Sequence, residues 1–565
     1  MTDDALTALL PAPGHIERRA GRLVLTEPVT IDVAADSAAM ASGLVRSLAL
    51  LPMRLSTGRP GQGAQVTVRL VPGMAAPEAY HLSIAQDGVR ITAPDPAGVA
   101  FAVQTLRQLL PDDGYRARPP AGLDLSLPCC VIHDAPRFAW RGALIDVARH
   151  FLPKHALLRQ IDLLAAHKIN RLQLHLTDEQ GWRIESTRFP RLTSIGAWRR
   201  QSMVSHHRDA AVFDGTPHGG FYSKTDLREI HDFAADRGML LVPEIELPGH
   251  CGALLAAYPE LGAPERRDRA VLCGWGLHDT LVAPTEGNFA VIEAILEEIC
   301  DVLPGRFIHV GGDESRLDGW DADPRVRHYA AERGLATRPA IFADFMARVQ
   351  AILAALGREM ITWDDSFATQ QHAVSAGDGA IITAWRGHEV ARRAAACGRQ
   401  VILAPVFPTY FDYAQSDAVT EPLAIGGPVT LADVARWEPL PANWSAAEQA
   451  QVLGVQCQVW TEYIADPRRL DYMLYPRLCA FADVAWGGPV STRGARLARQ
   501  LGRLTAAGVE FRPPDGPHPW QQGGTGRMAH RAGAPLAAIL ALHAQAADHG
   551  ATPDDASYRA LGSPS

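Results

Sequence analysis

Residues 306–316 read RFIHVGGDESR: a short apolar run, two glycines, then two adjacent carboxylates, Asp313 and Glu314. The run has the apolar, β-branched character of a buried strand. Where it stops, two like charges stand side by side, which is costly unless one carboxyl keeps its proton or both have partners. Such a strand end is either a catalytic rim or an acidic loop, and the rest of the chain must decide between them.

Outward from this stretch the same texture recurs. Strand-like runs are GALIDVA (142–148), INRLQLHL (169–176), MLLVPEIE (239–246), RFIHVGG (306–312), EMITWDD (359–365), AIITAW (380–385), QVILAP (400–405) and LGVQCQVW (453–460). Helical periodicity fills the intervals in LLRQIDLLAAHK, KTDLREIHDFAADRG, NFAVIEAILEEICDVL and AIFADFMARVQAILAALG. Repeated strand–helix units with near-continuous apolar strands predict a parallel sheet, and eight of them predict a closed (β/α)8 TIM barrel. YPRLCAFADVAW and RGARLARQLGRLTAAG read as closing helices.

Upstream, VTIDV, QVTVRLV, YHLSIA and VRITAP read as short strands, followed by the helix GVAFAVQTLRQLL. They form a small α/β domain, joined to the barrel through the Pro-rich stretch ARPPAGLDLSLPCC. The expected organisation is a non-catalytic α/β domain over 1–135, a catalytic barrel over 136–490, and C-terminal helices with a loosely ordered tail over 491–565. Within that tail, PLAAILALHAQAAD reads as a short helix.

Composition narrows the function. With 565 residues, 47% hydrophobic and 21% charged, the chain can bury a large core. A net charge of −8 without blocks of like charge gives no footprint for nucleic acid or an anionic membrane surface. No apolar run approaches membrane-spanning length. The start, MTDDALTALLPAPGHIERR, is acidic where a secretory signal is basic, so the cytoplasm is the expected compartment, with secretion left open if a leader has been removed. Eight scattered cysteines with no C-x-x-C spacing read as reduced thiols, and no metal or other cofactor is expected.

A barrel enzyme carries its chemistry on the loops after the strands. Here the strands end in HLTDEQGW, PEIELPGH, HVGGDE, TWDD, TAWRG and VWTEY, and the seventh runs into PVFPTYFDYAQ. Carboxylates accept hydrogen bonds from hydroxyls, and aromatic faces stack on the C–H face of a pyranose, so this rim describes a sugar pocket.

The motifs WRGALIDVARHF, LHLTDEQGWRIE, VPEIELPGH, HVGGDE, VWTEY and YPRLCAFADVAW, in this order, resemble glycoside hydrolase family 20, the β-N-acetylhexosaminidases. The N-terminal region is similar to that family's non-catalytic domain. Glu246 and Asp365 stand where Asp and Glu are commoner, and Ser315 where an apolar residue is frequent; none of these departures is expected to touch a catalytic role.

The resemblance implies an exo-acting, retaining glycosidase that releases terminal β-linked GlcNAc or GalNAc, with the substrate's own 2-acetamido oxygen as nucleophile. Glu314 would be the general acid, and ionised Asp313 would hold the acetamide N–H. Tyr410 would bond the acetamide carbonyl. Trp363, Trp385 and Trp460 would wall the sugar, Arg141 would take the 3- and 4-hydroxyls, and Asp412 and Glu462 the 4- and 6-hydroxyls. Asp178 and His250 would support Glu314, and Trp437 would line the approach to the leaving group. Gly311 and Gly312 would let the backbone approach the ligand.

Plainer readings stand beside these. His309 and His175 sit near carboxylates at metal-like spacing, but on strands they are expected to be satisfied core histidines. Asp146, Arg149 and His150 read as a structural ion-pair set, and Cys251 as packing. Competing functions are a lacto-N-biosidase or chitobiose-releasing relative with a longer pocket, a glycosidase with a covalent enzyme nucleophile, and an inactive carbohydrate-binding protein. The expected partner is an oligosaccharide or glycoconjugate, with the protein a monomer or homodimer.

Overall fold

The computed structural model describes residues 5–34, 38–57, 63–74, 76–263, 270–369 and 379–522. The stretch PLAAILALHAQAAD lies outside them.

All eight expected barrel strands form, and they close into a parallel barrel. In order they are Trp140–Asp146, Arg171–His175, Leu240–Glu244, Phe307–His309, Glu359–Trp363, Ile381–Ala384, Val401–Leu403 and Val452–Val459. The eighth pairs with the first, from Gly454 opposite Trp140 to Val459 opposite Ile145. The helices cover Lys154–Ala166, Lys224–Ala235, Glu286–Val302 and Arg338–Ala355, with Arg477–Trp486 and Val490–Ala506 closing the far side. Their starts are legible: Ser223 caps one helix in a reciprocal capping box with Asp226, and Thr285 accepts from Asn288 N–H at another.

The barrel interior is apolar at its base and polar above. Trp140, Val242, Phe307, Ile361, Ile381 and Ile402 form the basal layer. From it a column of hydrogen bonds climbs toward the strand ends. Trp140 Nε1 donates to Gln456 (3.0 Å), Gln456 to Gln173 (2.8 Å), and Gln173 to Glu244 (2.9 Å). Such a column fixes rotamers that an apolar core would leave to packing alone.

The N-terminal domain is a seven-stranded mixed sheet, and three of its strands escape the sequence pattern: His15–Val24, Leu55–Thr57 and Ser126–Asp134. The last is an inner strand, between His15–Val24 and Tyr80–Ala85, and it occupies the end of the stretch expected to be a joint. Pro128 disguises it. That proline sits opposite Arg22, at a register shift in the partner strand, where a missing N–H is tolerated.

The two domains meet under the barrel, and here one expectation fails. Arg141 is not a sugar ligand. Its side chain is 1% exposed, pairs with Glu78 at 2.7 Å, donates to the carbonyls of Lys168 and Phe138, and lies over Trp486. It opens the first strand, whereas chemistry belongs to the other end. Five residues at a rise of ~3.3 Å put Arg141 roughly 16 Å below the exit at Asp146.

Candidate active site

The fourth strand ends in a loop built for close quarters. Gly311 and Gly312 have φ of +64° and +89°, and Glu314 has φ of +47°. A Cβ on Gly311 would stand 1.8 Å from Glu246 Oε2, and one on Gly312 would meet Ser366 and Met346 at 2.7 and 2.9 Å. The glycines therefore make room for protein side chains rather than for a ligand. The left-handed turn at Glu314 also explains how two consecutive side chains reach one place. Asp313 Oδ2 and Glu314 Oε2 lie 3.9 and 3.6 Å from the same atom, His250 Nε2.

Behind them runs a chain of charges. His250 Nδ1 is 3.4 Å from Asp178 Oδ1, and Asp178 Oδ2 takes Arg149 at 2.7 Å and His175 at 2.9 Å. His175 Nδ1 is 2.7 Å from Glu244, which also accepts from Trp363 Nε1 at 2.9 Å and lies 2.9 Å from His309. Burial disfavours the His250 cation, but Asp178, Glu314 and Asp313 outweigh it and hold that pKa well above the ordinary value. His175 is likewise raised, to about 10, because Glu244 and Asp178 overcome burial.

Two groups bring a histidine and two carboxylates within 4.8 Å of one another, His175–Glu244–Glu246 and His250–Asp313–Glu314. In both, the neighbouring carboxylates favour the protonated imidazole.

Asp365 supports Glu314 from the other side. It accepts from Glu314 N–H (3.1 Å) and Trp385 Nε1 (2.8 Å), and Arg386 pairs with it at 2.5 Å. All three family departures thus lie at the reactive loop, closer to the chemistry than expected: Glu246 and Asp365 abut it, and the Ser315 hydroxyl donates to the Asp313 carbonyl at 3.3 Å.

Burial pushes the Asp313 carboxyl up to about 8, helped by Asp365, Glu314 and Glu244 and opposed by His250. Asp412 is raised well above the usual range, by burial and then by Glu462, which burial itself raises. Asp313 Oδ1 and Asp412 Oδ1 are buried without a hydrogen-bond partner among the described residues.

The pocket brings together Asp313, Glu314, Tyr410, His250, Trp363, Trp385, Asp412, Trp460 and Glu462. Trp363 and Tyr410 stand 5.9 and 6.4 Å from Trp460, ring to ring. Asp178 lies just behind, fully buried. Arg149, read from sequence as structural, is in the pocket wall, its guanidinium 5.1 Å above Trp460. It leaves the first strand at the rim, the place wrongly given to Arg141. Trp437 is the other misplacement: it ends the helix Leu431–Arg436 and turns its ring onto Phe481, 6.2 Å away and nearly parallel, outside the pocket lining.

Gln180 and Tyr413, from the strand-end stretches HLTDEQGW and PVFPTYFDYAQ, also line the pocket, as do His207, Arg208, Trp275, Leu277 and Ile425, which carry no strand-end signature. His207 and Arg208 come from the excursion after the second strand, folded back through the pairing of Trp198–Arg199 with His218–Gly219. Tyr413, three residues after Tyr410, was within reach of the sequence pattern.

Comparison with known proteins agrees with this architecture. The model of the glycosyl hydrolase family 20 catalytic domain matches residues 138–489, and that of the family's domain 2 matches residues 6–135. A β-hexosaminidase of Vibrio furnissii is 34% identical over 85% of this chain and 77% of its own length. One from Porphyromonas gingivalis is 31% identical over 92% of this chain, which spans 65% of that protein's length. Among solved structures, a mutant Streptomyces plicatus β-hexosaminidase in complex with the product GlcNAc superposes with a TM-score of 0.76 at 32% identity, covering 91% of this chain and 98% of the other.

Proposed function

This chain belongs to glycosyl hydrolase family 20, and from that premise together with the pocket we infer that it is an exo-acting β-N-acetylhexosaminidase working by substrate-assisted catalysis. One observation carries the mechanism: the two rim carboxylates are consecutive residues that converge on His250. A conventional retaining pair flanks the glycosidic bond with its carboxyls about 5 Å apart, one as acid and one as nucleophile. Consecutive groups that converge on one histidine fit this scheme poorly, and membership of the family supports the alternative, in which the two serve different parts of one sugar and the nucleophile comes from the substrate.

In this reading the acetamide oxygen attacks C1 as the bond to the leaving oxygen breaks, and Glu314 gives its proton to that oxygen. Asp313 accepts the acetamide N–H and faces the oxazolinium cation. Water then adds to C1, passing a proton to Glu314 and reopening the ring, with net retention. Tyr410 donates to the acetamide carbonyl oxygen, while Trp363, Trp385 and Trp460 wall off the sugar. Arg149, braced by Asp178, takes ring hydroxyls together with Asp412 and Glu462. The raised pKa of Asp313 in the free protein works against the carboxylate this role needs, and the amide donor and the developing cation of the bound substrate both act to restore it.

The test is hydrolysis of an aryl β-GlcNAc beside the matching β-glucoside and β-GalNAc. Rapid GlcNAc release without glucoside cleavage is expected; equal cleavage of the glucoside would remove the acetamide nucleophile from the account. The β-GalNAc rate sets the epimer preference.

A further inference from the structure

The reaction as described uses Asp178 but not the carboxylate beside it. Glu179 is 1% exposed. Its backbone N–H donates to Asp178 Oδ1 at 2.5 Å, the same oxygen that lies 3.4 Å from His250 Nδ1. Its side chain reaches away from its own loop: Oε2 accepts from Gly252 N–H at 2.8 Å, and Oε1 from the hydroxyl of Thr280. Its carbonyl accepts from Leu272 N–H at 3.3 Å. One residue thus ties together the loop after the second strand, the turn just past His250, and the segment 272–280.

The turn it grips needs holding. His250 has φ of +49°, a left-handed conformation that costs a non-glycine residue of order 1 kcal/mol or more and persists only when its surroundings impose it. Cys251 supplies one anchor, its thiol donating to the carbonyls of Glu246 and Gly249. Glu179 supplies the other at such close range that a Cβ on Gly252 would lie 2.3 Å from its carboxylate oxygen.

We propose that Glu179 is a positioning residue: by clamping the His250–Gly252 turn and placing an ionisable carboxyl behind the imidazole, it keeps His250 aligned on the general acid Glu314. This rests on the role given to Glu314 above. The groups facing Glu179 are His250, Asp178 with Arg149 beyond it, Cys251, Gly252 and Thr280. Its own carboxyl is raised to about 7, by burial first and then by Asp178, with His250 and both hydrogen-bond donors opposing.

The experiment uses wild type, Glu179→Gln and Glu179→Ala on two aryl β-GlcNAc substrates, one with a good and one with a poor leaving group, across pH. Cleavage by wild type tests the glycosidase reading by itself. Only if it cleaves do the variants speak to Glu179. Glutamine can accept from Gly252 and donate to Thr280 but lacks the charge. Glu179→Gln is expected to lower kcat on the poor leaving group by about tenfold, with KM little changed and the alkaline limb of kcat/KM moved to lower pH. The good leaving group should be far less affected. Glu179→Ala should lose more on both. A Glu179→Gln enzyme with the wild-type pH profile and equal losses on the two substrates would make the residue merely structural and overturn the proposal, as would an unaltered Glu179→Ala.

Discussion

Each end of the barrel buries a cluster of arginines and carboxylates, and the two clusters are finished differently. At the base, Arg141 pairs with Glu78, and Asn170 donates to the same carboxylate at 2.8 Å. Lys168 holds Asp134 and Tyr80 at 2.8 Å each, and Trp486 Nε1 caps Asp134 at 2.8 Å. At the rim, Asp313 Oδ1, Asp412 Oδ1 and both oxygens of Glu246 are buried with no hydrogen-bond partner among the described residues, although His175 Nδ1 lies 3.7 Å from Glu246 Oε1. Burial pushes all three carboxyls up, Glu246 with help from Asp313 and Glu244. A buried polar group left unpaired costs of order 1–3 kcal/mol. A satisfied cluster joins domains; an unsatisfied one stores that cost until a polyhydroxylated ligand relieves it.

The sharpest way to break this comparison is at Glu314. Glu314→Gln should lower kcat on a poor aryl leaving group by ~10²–10⁴-fold, and much less on an activated one. Steady-state rates over a leaving-group series check it; a flat loss across the series would deny Glu314 the acid role.

The two arginines come next. Arg149→Ala should cut kcat/KM by ~10²-fold, since a site built to bond hydroxyls loses its discrimination when a donor goes, and it should lower Tm as well because it orphans the buried Asp178 and Asp146. Arg141→Met should cost stability alone: it orphans Glu78 at a cost of about 3–5 kcal/mol, with kcat and KM for the aryl glycoside unchanged. Thermal melts should fall for both, so kinetics separate the two, and a loss of kcat/KM by Arg141→Met as well would erase the distinction between base and rim.

Those two arginines also mark where the sequence is legible. WRGALIDVARHF contains both, and the pattern gives the strand between them. Which one is catalytic depends on strand direction, since only the C-terminal end of a barrel strand reaches the loops. All eight strands are readable because a buried parallel strand is a continuous apolar run. His15–Val24 is not, because it is almost wholly exposed on its own side chains, and Ser126–Asp134 is masked by Pro128. Strand-end site residues such as Asp313, Trp363 and Glu462 follow from the frame. His207, Arg208, Trp275 and Ile425 do not, because they ride on long excursions whose return paths no local periodicity encodes.

A smaller effect tests the stored cost itself. Asp313 titrates near 8 in the folded protein against ~3.9 unfolded, so between those values the folded state binds more protons and stability falls as pH rises. Asp313→Asn should therefore stabilise the free protein above pH 8 by about 1–3 kcal/mol, discounted for the partial solvent access of the side chain, with the difference shrinking toward pH 4. Denaturant midpoints at several pH values read it out. A variant less stable than wild type at pH 9 would mean that the Asp313 charge is already compensated, like Asp134 at the base.

The smallest expected effect is a null, and it bears on the same contrast. Trp437 has the residue type of a sugar platform, yet its ring is spent on Phe481 at 6.2 Å, against the helix Arg477–Trp486 that closes the barrel. Aromatic stacking serves a ligand only where one face of the ring is left uncovered toward it, as Trp460 is at the pocket wall. Trp437→Phe should therefore keep KM and kcat within about twofold on any aryl β-GlcNAc, because it preserves the ring contact. Trp437→Ala should lower Tm through lost packing, again without raising KM. A selective rise in KM with longer leaving groups would instead carry the substrate path out to this ring and extend the unsatisfied rim beyond the strand ends.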